Sequence, residues 1–302
     1  MLLKENYKKC TYVMLGLQDS IILFVLFILF LLFGHANIGC AKKNHLNIIT
    51  FNIRYENKGD GVNSWANRNG YLCEFLRKQQ ADIVCLQEVL HHQLHDVVAS
   101  LSEYSYCGVG RNDGKTKGEY APVFYKKSIF EEIEHGTFWL SDHPDLVGSI
   151  GWDAKQPRIV TWVILRIKKS GDSIVVFNTH LDDIGKKARV ESVKLIMEKI
   201  SHCSLPVILT GDFNESPRSK AYQIITDNQN GMMDTDVNNN KRRGVFYTFH
   251  NFGKIPLKRR IKIDYVFVKG IKKVKKVIIP QETSVRGIYL SDHNPIIADL
   301  II

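Results

Sequence analysis

No two of the chain's six cysteines stand two residues apart (Cys10, Cys40, Cys73, Cys85, Cys107, Cys203). A zinc ribbon or a thioredoxin-type redox site, which need Cys-x-x-Cys, is therefore unsupported. The four cysteines from Cys73 onward are scattered and define no disulfide framework. Cys73 and Cys85 sit in apolar periodic stretches and read as small core residues. Beyond the first forty residues there is no linker, internal repeat or low-complexity block, which excludes arrays and solenoids. Nor is charge or apolar content unusual: of 302 residues 24% are charged and 44% hydrophobic, which excludes wholesale disorder. What is lopsided is the sign, with 41 Lys+Arg against 31 Asp+Glu, a formal net charge of +10. A basic excess suits polyanionic partners such as nucleic acid, phosphorylated small molecules or an anionic membrane surface, without choosing among them.

The N-terminal forty residues differ from the rest. Lys4, Lys8 and Lys9 precede an unbroken apolar run, Ile21–Phe33. Positive residues before a short apolar core describe a secretory signal peptide, expected over residues 1–39. The run is shorter than the roughly 20 residues of a spanning helix, although a tilted anchor using the flanking residues is a competing reading. Two cleavage readings stand beside each other. "GHA" (Gly34–Ala36) has the small-x-small form of ordinary cleavage, and "NIGC" (Asn37–Cys40) resembles a bacterial lipobox with Asn37 in place of its usual apolar residue. The second would acylate Cys40 and tether the protein to a membrane, and we expect an exported, membrane-attached monomer. The remaining domain is expected over residues 40–302.

Along that domain, apolar β-branched runs alternate with amphipathic stretches. Strands are expected at Leu46–Ile53 and Asp82–Glu88, in "APVFYKK", "RIVTWVILRI", "SIVVFNTHL" and "LPVILTGDFN", and late in "IKIDYVFV", "VKKVIIP" and "NPIIADLII". Helical spacing marks Arg68–Gln80, His91–Leu101 and Gly185–Ile200. Strands that alternate with helices early and cluster late suggest a mixed-sheet α/β layer structure rather than a simple doubly wound sheet.

Polar residues end nearly every strand: Asn52, Glu88, His180, Asp212 with Asn214, Asp264, and Asp292 with His293. One such ending is ordinarily a turn cap. Six such endings, each beside a strongly apolar run, are hard to read as caps. Carboxylates and amides without thiols suit a hard divalent ion such as Mg²⁺, with Mn²⁺ as a substitute. A His beside an Asp suits a positioned imidazole.

In order, "FN", "LQE", "NTHLD", "GDFN", "IDYVF" and "SDHNP" resemble the endonuclease/exonuclease/phosphatase superfamily. Further stretches, among them "GVGRNDGK", "GEYAPVFY", "GWDAKQPRIVTW" and "ARVES", resemble an extracytoplasmic bacterial branch of it. The resemblance runs from about Asn44 to the C-terminus. It implies a four-layer sandwich, two mixed β-sheets face to face with helices outside. It implies that Glu88 is the principal metal carboxylate, with Asn52 beside it and Asp292 on the metal side. Asp212 would orient or deprotonate the attacking water, and Asn214 would help hold that water or the phosphate. His180 and His293 would bind the scissile phosphate, Asp264 would stand near His293, and Arg158 would contact phosphate. Abasic-site nucleases place an Asp where this chain has Arg54; deoxyribonuclease I-like members have Arg, which favours one tightly held metal over two and counts Arg54 with the substrate-binding residues. The implied activity is Mg²⁺-dependent hydrolysis of a phosphate ester, nucleic acid or nucleotide among the candidate substrates. The rival reading is an exported surface protein that binds a phosphate ligand without catalysis.

Weaker features have bland readings beside the functional ones. "LSDHP" (Leu140–Pro144) copies "LSDHNP" (Leu290–Pro295), but it precedes a long Gly-containing segment and is expected to be a polar turn. The basic runs Lys241–Arg243 and Lys254–Lys262 could track a polyanion or form a solvated face. Trp65, Trp139 and Trp152 could stack on a base or sugar, or be buried under loops. His91 and His95 stand i,i+4, yet no third ligand follows them, and the pair is expected to be helix surface.

Overall fold

A computed structural model describes residues 45–227, 231–236, 242–284 and 286–302. The expected signal segment, Cys40 and Lys241 lie outside them.

Among the described residues the strands are β1 (His45–Asn52), β2 (Ile83–Gln87), β3 (Tyr104–Cys107), β4 (Val123–Lys126), β5 (Phe130–Trp139), β6 (Ile159–Ile167) and β7 (Ser173–His180). They continue with β8 (Val207–Asp212), β9 (Met233–Asp234), β10 (Arg243–Gly244), β11 (Asp264–Lys269), β12 (Lys273–Ile279) and β13 (Ile296–Ile301). The α-helices are α1 (Trp65–Gln79), α2 (His91–Ser100), α3 (Lys186–Ser201) and α4 (Lys220–Thr226). One sheet runs β10-β12-β13-β1-β2-β4-β3 and the other β5-β6-β7-β8-β11-β9. Both are mixed. Each has a parallel pair joined through a helix, β1–α1–β2 and β7–α3–β8, flanked by antiparallel neighbours, and the short edge strand β10 runs parallel to β12. The expected layered α/β architecture is the one observed.

Strand alternation builds the layers. Ile48, Ile83, Cys85, Ile174, Val176, Ile208, Val266, Val268 and Ala298 pack into one core between the sheets. Their neighbours point outward. Ile49, Phe51, Val84 and Leu86 meet Leu72, Leu76, Leu94 and Val97 of α1 and α2. Val175, Phe177, Val207 and Leu209 meet Val193, Ile196, Ala221 and Ile225 of α3 and α4. Each large side chain so buried contributes roughly 1.5–3 kcal/mol of transfer free energy.

The inward stripe changes character along its length. Past the apolar layer come Thr50, Gln87, Asn178 and Thr210, all sealed from solvent. Gln87 Nε2 donates to Asn178 Oδ1 at 2.6 Å, and Asn178 Nδ2 donates to the carbonyls of Leu86 and Pro122 at 2.8 and 3.0 Å. These bonds cross from sheet to sheet. Removing one partner would strand the other at a cost of about 1–3 kcal/mol. Beyond this polar belt the same stripe delivers Asn52, His180, Asp212 and Asp264 to one end of the sandwich.

Several elements escape sequence patterning. β5, "FEEIEHGTFW", is an edge strand with an irregular register between Glu132 and Glu134, so its polarity does not alternate cleanly. Of the three tryptophans expected in loops, Trp152 lies in a turn, half-buried, and the other two are elsewhere. Trp65 opens α1 and gives its Nε1–H to Asp96 at 2.7 Å, and Trp139 ends β5 and gives its own to the Arg111 carbonyl at 2.7 Å. Both are buried, which removes them as stacking platforms. No helix among the described residues is long and apolar enough to cross a membrane.

Candidate active site

The residues expected at strand ends line one cleft of about 440 Å³. Its walls include Arg54, Glu88, Arg158, His180, Asp212, Asn214, Asp292 and His293. Asn52 and Asp264 lie directly behind it, each sealed from solvent. A groove of similar size, about 460 Å³, lies among Phe138, Trp162, Ile164, Val175 and Phe177 and holds none of these residues.

Asp212, the last residue of β8, is the hub. It is 1% exposed. Its Oδ2 accepts from Asn52 Nδ2 at 2.9 Å and lies 3.6 Å from His180 Nε2 and 3.7 Å from His293 Nε2. Burial and the nearby Asp264 push its carboxyl above the ordinary range, while the two imidazoles pull the other way. Gly211 serves close approach here rather than a turn: a Cβ on it would meet the Thr179 carbonyl at 2.1 Å. Asn214 does not continue the strand. The chain turns there into the left-handed region (φ 49°), the Asn214 N–H bonds Asp212 Oδ1 at 2.9 Å, and its Nδ2 reaches His180 Nε2 at 3.1 Å and the Leu181 carbonyl at 3.0 Å.

His293 is 5% exposed and joins Asp264 Oδ2 through Nδ1 at 2.8 Å. Burial alone would lower its pKa, but Asp264 and Asp212 outweigh burial and push it up to about 10. It is therefore an imidazolium at neutral pH, with Nε2–H turned to the cleft side. Phe249 packs against its ring at 4.9 Å between centroids. The two Ser-Asp-His copies separate cleanly. In the second, Ser291 Oγ donates to the Asn52 carbonyl at 2.6 Å and Asp292 and His293 are buried. In the first, Ser141 Oγ accepts from the His143 N–H at 2.9 Å in a surface turn, with Asp142 and His143 exposed.

The acidic side of the cleft is built on Glu88, which follows β2 with φ 61°. Its Oε1 accepts from Asn52 Nδ2 at 2.9 Å and its Oε2 from the Tyr55 N–H at 3.1 Å. Asn52 thus turns its amide nitrogen to Glu88 and Asp212, while its Oδ1 accepts the Arg54 N–H at 2.9 Å. In this arrangement Asn52 orders the two carboxylates instead of offering an oxygen to a metal. Asp292 lies nearby, and burial, together with Glu88, raises its carboxyl pKa against the opposing pull of His293, Arg54 and Arg68. Arg54 forms a two-pronged pair with Asp60 (3.2 and 3.2 Å) and stands 3.9 Å from Glu88 and 3.8 Å from Asp292. Its guanidinium is largely committed to these carboxylates. The donors turned to this corner of the cleft are carboxylate oxygens, so Glu88 and Asp292 fit a hard divalent ion. Glu88, His180 and Asp212 also bring one ligand atom each within 4.8 Å of one another.

Arg158 is 5% exposed. Its Nε and Nη2 donate to Asp182 at 3.2 Å and Asp183 at 2.9 Å, and its Nη1 has no partner. A buried guanidinium N–H left free at a cleft wall suits an anionic ligand oxygen.

Three residues of the site carry no role from the strand-end pattern. Glu119 lies 3.7 Å from His180 Nδ1 and accepts from Arg111 Nη1 at 2.8 Å. Burial opposes its ionisation, yet His180 and Arg111 hold its carboxyl below the ordinary range. Both residues sit in stretches that resemble the family, "GVGRNDGK" and "GEYAPVFY", so the signal was present without a role attached. Arg68, wholly buried in α1, had no signal. It donates to the carbonyls of Ile53, Arg54, Asn63 and Leu290 at 2.5–2.9 Å and so ties the segment after β1 to the segment before Asp292.

Comparisons with known proteins agree with this fold. A crystal structure of an endonuclease/exonuclease/phosphatase from Bacteroides vulgatus superposes with a TM-score of 0.82 at 45% identity, covering 85% of this chain and 99% of that one. The mannosyl-6-phosphatase of Bacteroides thetaiotaomicron gives a TM-score of 0.79 at 36% identity, covering 85% and 100%. Among curated proteins, the CCR4-Not complex 3'-5'-exoribonuclease subunit Ccr4 of Mycosarcoma maydis is 25% identical over 246 residues, 63% of this chain and 36% of that protein. The chain spans little more than a third of the length of the first curated relatives it matches. The family model described as "Endonuclease/Exonuclease/phosphatase family" matches residues 49–293, and the chain belongs to that family.

Proposed function

We propose that the protein is a divalent-metal-dependent phosphoesterase that cleaves a phosphate ester by direct attack of water. The observation that carries this reading is Asp212, sealed in the sandwich with two imidazoles at 3.6 and 3.7 Å from one carboxylate oxygen. Glu88 and Asp292 would hold the ion, and Mg²⁺ there would supply positive charge to the phosphate oxygens. Asp212 orients the water and takes its proton as the new O–P bond forms and the ester O–P bond breaks. Asn214 fixes the water's direction. His293, charged through Asp264, and His180 bind the phosphate oxygens where negative charge grows. The free Nη1–H of Arg158 adds a third donor.

We read the substrate as a small phosphate ester in preference to a long polynucleotide. The cleft is concave and its rim carries carboxylates, with Asp183 exposed on it. The likeness to a sugar-phosphate phosphatase at 36% identity supports the same reading. The test is hydrolysis of p-nitrophenyl phosphate, bis-p-nitrophenyl phosphate, mannose 6-phosphate and RNA with and without Mg²⁺. Release from the small esters that needs Mg²⁺ and is lost in Asp212→Asn supports the proposal. Binding of phosphate esters without turnover would favour the non-catalytic rival.

The proposal includes export, with attachment to a membrane through Cys40. Cys40→Ser in a bacterial host should turn a detergent-phase protein into a soluble exported one. Indifference to the change would sink lipid attachment and leave cleavage after Ala36 or an uncleaved anchor.

A further inference from the structure

Outside the cleft, α2 opens with His91, and His95 follows one turn later on the same face. Both imidazoles are solvent-exposed. Such pairs usually point their nitrogens into water, but here the two Nε2 atoms meet at 3.1 Å with ring planes at 90°. Tyr120 sets the chemistry of the pair. Its hydroxyl gives its one proton to the Lys115 carbonyl at 2.8 Å. Towards His91 Nδ1, 3.0 Å away, it can therefore only accept. In the neutral ring this keeps the proton on Nδ1 and leaves the Nε2 lone pair facing His95. An outer partner that fixes the tautomer of an imidazole is the support a metal-ligating histidine ordinarily has. The adjacent His92 is occupied elsewhere, 3.0 Å from Glu56.

We propose that His91 and His95 form a second cation site, distinct from the acidic corner of the cleft, for a borderline transition ion such as Ni²⁺, Zn²⁺ or Cu²⁺. Two imidazole nitrogens suit these ions and not Mg²⁺, which takes oxygen donors. Water completes the coordination shell, so the site is open. Its rings already meet, so little side-chain ordering is left for the ion to impose. The site also has a physical link to the cleft. Tyr120 pairs with Val89 through Tyr120 N–H to the Val89 carbonyl at 2.8 Å, and these two residues adjoin Glu119 and Glu88.

The experiment uses the full chain in detergent with saturating Mg²⁺, titrated with Ni²⁺ by calorimetry. Cu²⁺ electron paramagnetic resonance of the same samples reads nitrogen coupling. Wild-type protein should bind one Ni²⁺ more than His95→Gln or His91→Gln and show coupling to two imidazole nitrogens that either variant loses. Tyr120→Phe should keep the stoichiometry and weaken binding roughly 10–100-fold. Equal stoichiometry and affinity in wild type and the His91→Gln/His95→Gln double variant would overturn the proposal. His91 and His95 are exposed, so their substitution leaves the packing intact, while Tyr120 is buried and loses only its hydroxyl in Tyr120→Phe; circular dichroism checks the fold of every variant.

Discussion

Asp264 and His293 are joined by a single 2.8 Å bond between Oδ2 and Nδ1, and both are nearly sealed from solvent. A charged imidazole is tolerated there because the carboxylate compensates for its lost hydration. The exposed Asp142-His143 copy has no such partnership. His293→Ala should lower turnover by several orders of magnitude, whereas His143→Ala should change it less than roughly tenfold. Steady-state kinetics on one small phosphate ester decides, and equal effects would refute the separation of the two copies.

Glu88 and Asp292 lie 3.9 and 3.8 Å from the Arg54 guanidinium. EDTA should abolish hydrolysis, and Mg²⁺ or Mn²⁺ should restore it. Glu88→Gln should keep the fold and raise the Mg²⁺ concentration for half-maximal rate by roughly tenfold or more. Full activity in excess EDTA would remove the metal from the scheme.

Asp212 separates catalysis from structure. Asp212→Asn preserves size and can still bond the Asn214 N–H. Turnover should fall at least about a hundredfold with little change in KM. A lowered Tm with near-normal turnover would make Asp212 a structural residue.

Asp182 supplies a pH dependence that does not involve the cleft carboxylates. Burial would raise its pKa, but the Gly185 and Ile184 N–H groups, Arg158 and the Lys155 N–H more than reverse this and hold it below the ordinary range. The unfolded chain therefore takes up the proton first as pH falls. The stabilisation is complete above the ordinary carboxylate pKa near 4 and is lost as pH drops through the lower folded value. Asp182→Asn should cost on the order of 1–3 kcal/mol at neutral pH, and the gap in Tm should narrow as pH falls below the ordinary carboxylate range. A gap independent of pH would show that the charge of Asp182 does not matter.

The strand-end residues were legible because each adjoins a strongly apolar run, Asn52, Glu88, His180 and Asp212 after it and Asp264, Asp292 and His293 before it, and the sequence period fixes the face of those within strands. Asn52, His180, Asp212 and Asp264 share parity with Ile48, Val176, Ile208 and Val266. Placement of Asn214 was not legible, since it depends on a left-handed turn and not on alternation. The amide orientation of Asn52 was hidden for a similar reason: only the assembled sheets show that Asp212, 160 residues away, competes for its nitrogen. β5 stayed hidden because its bulge disrupts the period. Arg68 is a buried cation satisfied by four backbone carbonyls, a role that leaves no trace in local composition.

The shared parity of core and cleft residues has a consequence for how such a protein can change. One residue inserted in β8 between Ile208 and Asp212 would swing the carboxylate to the helix side, and with it part of the inter-sheet core. Chemistry and foldability would fail together, so the hydrolytic apparatus cannot drift by slipping a strand. The loop that carries the exposed Asp183 lies outside that alternation. Divergence is channelled to the exposed rim, while the strand-borne residues of the cleft stay fixed.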